Sequence, residues 1–341
     1  MIRCLLIALV FLLPSSAVLA EFLPVSARPG HEPIRLMRHG SKAVLISGGA
    51  AYEITAIAGA MPALRFTPLA FHTLPVGGRR PGMLPMSHVA LAGDDPAGGA
   101  VAAAWLAEPT DRYAHAVLGD ALEAGALMVE TRGGAVLSYR LGPEHVFEDL
   151  MPRLADVTGD GSAEILLVRA SRRGGAALTL FGVREGTLAL IAESTDIGSP
   201  NRWLNPVGVG DFLGIGQPQA AVVRTPHIGG ILILYTLEQD RLVERFRASG
   251  YSNHRIGSPE LGLSAVFDAD GDGLPDIALP GIDRRSLSIV SLRDGQQHIL
   301  GRTEHDAAID SALVVADLDD DGRLDLVYGL ADGTVAALLR R

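Results

Sequence analysis

The chain has 341 residues and carries 29 basic against 39 acidic side chains, which gives a net charge of −10 near neutral pH. This acidic balance argues against a nucleic-acid partner, because phosphate binding needs a basic surface. The only cysteine is Cys4, so disulfide bonds cannot hold the fold together, and the length is enough for one large β domain or two smaller ones.

The first 20 residues form a segment of their own. Arg3 precedes an apolar run over residues 5–13, and small residues follow. This order is typical of a secretory signal peptide, here cut between Ala20 and Glu21. The run is too short to span a bilayer, no later run is long enough, and Cys4 precedes it, so we predict no membrane or lipid anchor.

The absence of cysteine after this leader fits export by a bacterium, because secreted eukaryotic domains often use disulfide bonds. We therefore predict a secreted or periplasmic bacterial protein whose folded part covers residues 21–341. Residues 31–150 read as degenerate repeats, in which segments such as SHVALAG (87–93) and AVAAAWLAE (100–108) predict strands.

Residues 151–341 repeat one acidic pattern four times. The copies begin at Asp156, Asp211, Asp268 and Asp317, at intervals of 55, 57 and 49 residues. The sequence FDADGDGLPDIALP (267–280) shows the complete form, with aspartates at positions 1, 3, 5 and 9 and glycine at position 6. Internal repeats of this length indicate a propeller, a solenoid or an array.

The spacing of the aspartates predicts a cation site, because several oxygens that converge on one point suit a hard ion such as Ca²⁺. An EF-hand would need glutamate at position 12, where the complete copy has Leu279. It would also need flanking helices, whereas the flanks here are short and rich in aliphatic residues, as in strands. We therefore predict a strand–loop–strand calcium clip.

The predicted metal ligands come from three copies, so we expect two to three Ca²⁺ ions. They are Asp268, Asp270, Asp272 and Asp276, then Asp317, Asp319, Asp321 and Asp325, and more weakly Asp156, Asp160 and Glu164. The copy at Asp211 has Leu213 and Ile215 at ligand positions, so we predict no metal there and expect Asp211 to behave as an ordinary surface residue. The ions staple the turns in this interpretation, with regulation of ligand binding as the alternative.

Each repeat unit contains four short strands separated by glycine, aspartate or proline turns, which is the pattern of a propeller blade. The last unit has only three strands before Arg341. A strand from the N-terminal region, PIRLMRH (33–39) or KAVLISG (42–48), is predicted to complete it and remove the exposed sheet edge. The fold class is therefore all-β, with four-stranded antiparallel blades and a ring closed by an N-terminal strand.

These loops resemble the FG-GAP or VCBS repeats of integrin-α-like β-propellers, in which a DxDxDGxxD loop joins the first two strands of a blade. The match is specific over residues 151–341 and loose over 85–150. The resemblance implies a single β-propeller, usually with seven blades, that carries Ca²⁺ in its loops. A repeat of about 54 residues divides the chain after the leader into six instead, and this alternative stays open.

Turns between the second and third strands and connections between blades should lie on the face opposite the acidic loops. Five residues there are of the types enriched in recognition surfaces. They are Trp203, Asn205, His227, His254 and Arg255. They predict a ligand-binding depression, although the same side chains could instead pack between blades and pair the polar backbone of long loops.

The function predicted from these features is a monomeric binding or scaffold module for a protein, glycan or small ligand, without enzymatic activity. The alternative is a propeller hydrolase in which His227 or His254 acts as a base near Glu260 or Asp306.

Overall fold

The computed structural model describes residues 22–30, 34–57, 59, 61–70, 78–92 and 99–341. The predicted signal peptide, residues 1–20, lies outside this part of the chain. The described residues form 25 β-strands and a single 3-10 turn at Arg293–Gly295. The predicted all-β class is confirmed.

Ten strands precede the acidic repeats. They are β1 (Phe22–Ala27), β2 (Ile34–His39), β3 (Lys42–Ser47), β4 (Ala50–Ile57), β5 (Ala63–Leu69), β6 (Ala90–Leu91), β7 (Val101–Thr110), β8 (Glu123–Thr131), β9 (Val136–Arg140) and β10 (His145–Phe147).

Fifteen strands follow in the repeat region. They are β11 (Arg153–Ala155), β12 (Glu164–Ser171), β13 (Gly175–Arg184), β14 (Thr187–Glu193), β15 (Leu204–Gly210), β16 (Gln219–Arg224), β17 (Ile231–Glu238), β18 (Arg241–Ser249), β19 (Ala265–Phe267), β20 (Asp276–Pro280), β21 (Ser286–Ser291), β22 (His298–Glu304), β23 (Val314–Ala316), β24 (Asp325–Gly329) and β25 (Val335–Arg340).

Antiparallel pairing joins the described strands into six groups of four. The groups are β2–β5, β6–β9, β11–β14, β15–β18, β19–β22, and β23–β25 together with β1. The strand β10 pairs with both β8 and β12 and so links two groups. Seven blades were predicted with six as the alternative, and the described residues provide no seventh group.

The middle strands of the groups are buried on both faces. Every residue of β12, β20 and β21 is buried, which explains why most of their residues are apolar or small and do not alternate with polar ones. Outer strands are more exposed, and residues 245–249 of β18 alternate between exposed and partly buried positions. The main apolar clusters accordingly combine residues of neighbouring groups, as Val223 and Leu279 do, so adjacent groups pack face to face.

The first strands of successive groups lie beside one another. The strand β11 contacts β6, β19 contacts β15, and β23 contacts β19 and β2, while β15 contacts β12 and β13 of the preceding group. Four-stranded sheets that follow one another in this way give a propeller-like arrangement.

The strand β1 completes the last group, but it is not one of the two segments predicted for that role. It pairs with β25 along its whole length, from Phe22↔Arg340 to Ala27↔Val335. The two predicted segments form β2 and β3 of a group of their own. Gly40, Gly48 and Gly49 adopt positive φ in the tight turns that flank β3, so β2, β3 and β4 pair locally.

Val25 is the buried residue of β1 and packs in a cluster with residues of β2, β3 and β25. We expect Val25→Asp to destabilise the protein by about 2–4 kcal/mol, because it places an unpaired charge in this cluster. The neighbouring exposed position Ser26 provides the control, and Ser26→Asp should change the free energy of unfolding by less than about 0.5 kcal/mol. Urea denaturation measures both, and equal stability of the two variants would contradict the packing role of β1.

Candidate functional site

The four acidic loops each join the first and second strands of a group. They connect β11 to β12, β15 to β16, β19 to β20 and β23 to β24. The flanking elements are strands, as the sequence predicted, and not the helices of an EF-hand.

Two loops gather carboxylates closely enough to share a cation. The carboxylate oxygens of Asp268, Asp270 and Asp276 lie within 4.8 Å of one another. Those of Asp317, Asp319 and Asp325 do the same in the neighbouring group.

Asp272 and Asp321, the predicted ligands at position 5, are not part of these clusters. Asp272 forms an ion pair of 2.6 Å with Arg293 and Asp321 one of 3.0 Å with Arg323. The structure therefore brings three of the four predicted ligands together in each complete loop.

Buried carboxylate oxygens without a partner show that both clusters fit a hard cation. Asp276 Oδ1 and Asp319 Oδ1 are buried and accept no hydrogen bond. Burial raises the pKa of Asp276 to about 7 and that of Asp325 to about 6. A divalent ion coordinated by these oxygens would offset the cost of burying them.

A frame of backbone hydrogen bonds shapes all four loops. The first aspartate accepts backbone N–H groups at positions 4 to 6, as Asp268 does from Gly271 and Gly273. The residue at position 9 accepts an N–H near the start of the loop, as Asp276 Oδ2 does from Ala269 at 2.9 Å.

The loop without predicted ligands keeps this frame. Asp211 accepts the backbone N–H groups of Ile215 at 3.0 Å and Gly216 at 2.7 Å, and Gln219 accepts that of Leu213. Asp211 is therefore part of the loop structure, and the expectation that its substitution behaves as an ordinary surface change stays a prediction.

An arginine lies against the acidic side chains of the remaining loop. Arg184, at the end of β13, places its guanidinium 3.2 Å from Glu164 Oε1 and 3.4 Å from Asp160 Oδ2. Asp156 is engaged by backbone N–H groups, including that of Gly161 at 2.8 Å. These predicted ligands do not form a further cluster among the described residues, and Arg184 places a positive charge beside two of them.

Trp203, His227 and His254 lie together, as the sequence predicted. Their ring centroids are 6.2 Å apart for Trp203 and His227, 4.7 Å for Trp203 and His254, and 5.1 Å for the two histidines. His227 comes from the turn between β16 and β17. A side chain at Gly230 in that turn would collide with the Tyr251 carbonyl oxygen, so glycine is required for the close approach.

Hydrogen bonds define the tautomers of the histidine pair. His254 Nε2 donates to the Ser258 carbonyl oxygen at 2.8 Å. His254 Nδ1 must then accept the 2.8 Å bond from His227 Nε2. Burial lowers the pKa of His254 to about 3 and that of His227 to about 4, so both rings are neutral near pH 7.

These side chains do not line an open depression. Trp203 is 2% exposed, and Asn205 and His254 are 0% exposed. Asn205 Nδ2 donates to the carbonyl oxygens of Asn253 and Leu261. The prediction of an exposed recognition role is wrong for these three residues, which pack between groups and pair loop backbone. Of the five predicted residues, half-buried His227 and exposed Arg255 reach the surface.

The carboxylate partner required by the hydrolase alternative is also missing from His254, whose ring nitrogens bind His227 and the Ser258 carbonyl oxygen. A different histidine pairs with a carboxylate: His115 Nδ1 donates to Glu148 Oε1. This pair cannot be recognised in the sequence, because the two residues are 33 positions apart and belong to no motif.

A cavity of about 640 Å³ lies where the first strands of the groups converge. We name it the central cavity. Its wall consists of Ile34, Arg35, His88, Leu150, Met151, Arg153, Pro206, Val207, Gly208, Arg255, Pro259, Glu260, Leu261, Gly262, Ser264 and Asp310.

The central cavity lies on the side where the first strands begin. Arg153 opens β11, and Asp310 precedes β23. The acidic loops follow the far ends of these strands, so the cavity and the acidic clusters occupy opposite faces. Arg255 is the one predicted ligand-binding residue in its wall. Arg35 and His88 were missed because the sequence assigned them only to strands.

Glu148, whose backbone contacts Trp203, and Glu123 are buried glutamates that interact with each other. Trp203 Nε1 donates to the Glu148 carbonyl oxygen at 2.9 Å, and Glu148 Oε2 is buried without a partner. Burial, together with the charges of Glu148, Asp120 and Asp149, raises the pKa of Glu123 to about 10. Glu123 is therefore protonated at neutral pH.

Of the comparisons with known proteins, only the one with solved structures found similar chains. No protein-family model and no curated protein matches the chain. Among solved structures, the chain is similar to BBS1N in complex with ARL6DN, with 9% identity, a TM-score of 0.48, and coverage of 91% of this chain and 92% of that one.

Two lyase structures are also similar. The exotype rhamnogalacturonan lyase YesX is 19% identical with a TM-score of 0.42, over 85% of this chain and 52% of that one. A rhamnogalacturonan lyase from Bacillus licheniformis is 15% identical with a TM-score of 0.43, over 88% of this chain and 65% of that one. The chain thus spans about half the length of YesX. At these identities and TM-scores, no activity or partner is transferred to this chain.

Within the described ranges, no helix is long and apolar enough to cross a membrane.

The protonated state of Glu123 gives a pH-dependent prediction. The unfolded chain releases this proton above a pKa of about 4.5, whereas the folded protein keeps it up to about 10, so wild-type stability falls as pH rises between these values. Glu123→Gln should match the wild type at pH 4.5 and exceed it at pH 8 by about 2–4 kcal/mol. Urea denaturation at both pH values measures the difference. For the exposed control Glu144→Gln, the stability difference from wild type should not increase between the two pH values. An effect of Glu123→Gln that is independent of pH would refute the buried, protonated state.

Proposed function

We propose that this chain is an exported, monomeric β-propeller of six blades that binds a partner on one face and is stabilised by two Ca²⁺ ions on the other. The six strand groups, their contacts in chain order and the pairing of β1 with β25 support the six-bladed ring. The similarity of the acidic loops to FG-GAP or VCBS repeats supports calcium as the ion.

The single observation that carries the binding function is the composition of the central cavity. Segments at or before the first strand of all six groups contribute to its wall. The cavity combines apolar residues such as Leu150 and Leu261 with a few converging polar groups, which is the usual composition of a ligand site. The partner is a protein segment, a glycan or a small ligand that enters this cavity.

A hydrolase is less well supported. The His115–Glu148 pair is the one histidine–carboxylate contact among the described residues that matches the geometry of a general base. It does not line the central cavity. We therefore propose binding without catalysis.

The calcium proposal is tested with isosteric variants. Ca²⁺ that binds only the folded protein at 100 times its Kd stabilises it by about 2.7 kcal/mol. We expect wild-type protein to gain thermal stability with Ca²⁺, EDTA to reverse the gain, and calorimetry to find two ions. Asp270→Asn and Asp319→Asn should each remove one ion.

Asp160→Asn is the matched control, because Asp160 is paired with Arg184 and is not part of an acidic cluster among the described residues. It should leave the number of bound ions unchanged. A melting temperature that is insensitive to both Ca²⁺ and EDTA would rule out calcium stabilisation.

The binding proposal is tested by filling the cavity. Ser264 lies in the cavity wall, and Ser264→Trp should abolish capture of the partner from a bacterial extract while the protein keeps its Ca²⁺-dependent melting transition. Ser138→Trp, on the exposed side of β9, is the control and should capture the same partner as wild type. Equal capture by all three proteins would place binding outside the central cavity.

A further inference from the structure

We infer that the central cavity takes a small organic anion, a carboxylate on a ring-sized body, with Arg35 as its charged anchor and His88 as an adjacent hydrogen-bonding group. This inference rests on the proposed binding function and names its ligand class.

Arg35 is the arginine of the cavity wall that lacks a direct carboxylate contact among the described residues. It is exposed at the start of β2. Among the described residues it has no ion pair and no side-chain hydrogen bond, unlike the two other arginines of the wall. Arg153 binds Asp149 at 2.6 Å, and Arg255 binds Asp310 at 2.7 Å.

The acidic residues of the wall make no ion pair with Arg35 among the described residues. Asp310 is engaged by Arg255. Glu260 accepts the backbone N–H of Gly262 at 2.8 Å; burial raises its pKa, and the nearby charge of Arg35 lowers it. No carboxylate of the wall thus contacts the Arg35 guanidinium directly, and its hydrogen-bond donors face the cavity although the whole chain has a net charge of −10. A local charge of this sign attracts anions.

A second arginine adds to the positive potential near the cavity. Arg79 donates to the backbone carbonyl oxygens of Pro85 at 2.7 Å and Leu84 at 3.2 Å, so it is held in place without a carboxylate partner. Burial and the charges of Arg35 and Arg79 lower the pKa of His88. His88 is thus a neutral imidazole at pH 7, able to donate one hydrogen bond and accept another.

The size and walls of the cavity limit the body of the ligand. A volume of about 640 Å³ is in the range of small-molecule sites. Ile34, Leu150, Met151 and Val207 supply apolar surface next to the polar groups. A ring that bears one carboxylate can contact this apolar wall while its charge reaches Arg35.

The test uses two ring systems, each as an acidic, a neutral and a cationic compound. Calorimetric titrations of the Ca²⁺-loaded full chain use glucuronate, glucose and glucosamine, and then cyclohexanecarboxylate, cyclohexanemethanol and cyclohexanemethylamine. We expect at least one carboxylate to bind at least about tenfold more tightly than its neutral and cationic counterparts. Arg35→Gln should weaken the binding of that carboxylate by about tenfold or more, and leave the affinity for its neutral counterpart unchanged.

Arg38→Gln is the matched control, because Arg38 lies on the same strand, donates to the Gly40 carbonyl oxygen and is absent from the cavity wall. It should bind the carboxylate as wild type does. Equal affinity for neutral and acidic members, or a carboxylate affinity that Arg35→Gln leaves intact, overturns the inference but leaves the cavity as a binding site. Failure of all six compounds also overturns it, whereas partner capture by wild type and its loss in Ser264→Trp decide the proposed function independently.

Discussion

The burial of sheets on both faces is the constraint on which the rest of this structure depends. The strands β12, β20 and β21 are buried at every position, so each such sheet needs a neighbour on either side. In a linear stack the end sheets would expose apolar faces to water. Here the last group packs against the first through a cluster that includes Leu36 and Val327. Because the last group packs against the first, the first strands of the groups lie toward one centre. The segments before these strands and the acidic loops after them then lie on opposite faces.

The acidic loops show that the backbone geometry of the motif is independent of how its acidic charge is compensated. Backbone N–H groups held by the residues at positions 1 and 9 give the loop its shape, and this frame is present in all four copies. Compensation of the acidic charge differs between copies. Two clusters retain buried oxygens without partners, one loop uses Arg184, and the loop at Asp211 has lost most of its acidic groups. The proposed metal would thus be an addition to a loop that already has its geometry.

The sequence was informative where structure is local. The repeat interval, the strand–loop–strand order and the gathering of Asp268, Asp270 and Asp276 follow from spacing along the chain. Contacts between distant segments could not be predicted in the same way. Arg184 reaches Glu164 from the end of β13, and the strand β1 contains Pro24, a residue tolerated there because β1 is the edge strand of its sheet.

The pairing of β1 with β25 also has a consequence for the order of folding. Phe22 and Arg340 are partners, so this antiparallel pairing joins residues near the two ends of the described chain. Among the described strands, β1 is synthesised before all others, and its backbone N–H and C=O groups find their partners only after β25 has been made. Closing so long a loop costs conformational entropy that only the completed stack offsets. We expect this sheet to be the last to form, and β1 to be the strand that two molecules exchange at high protein concentration.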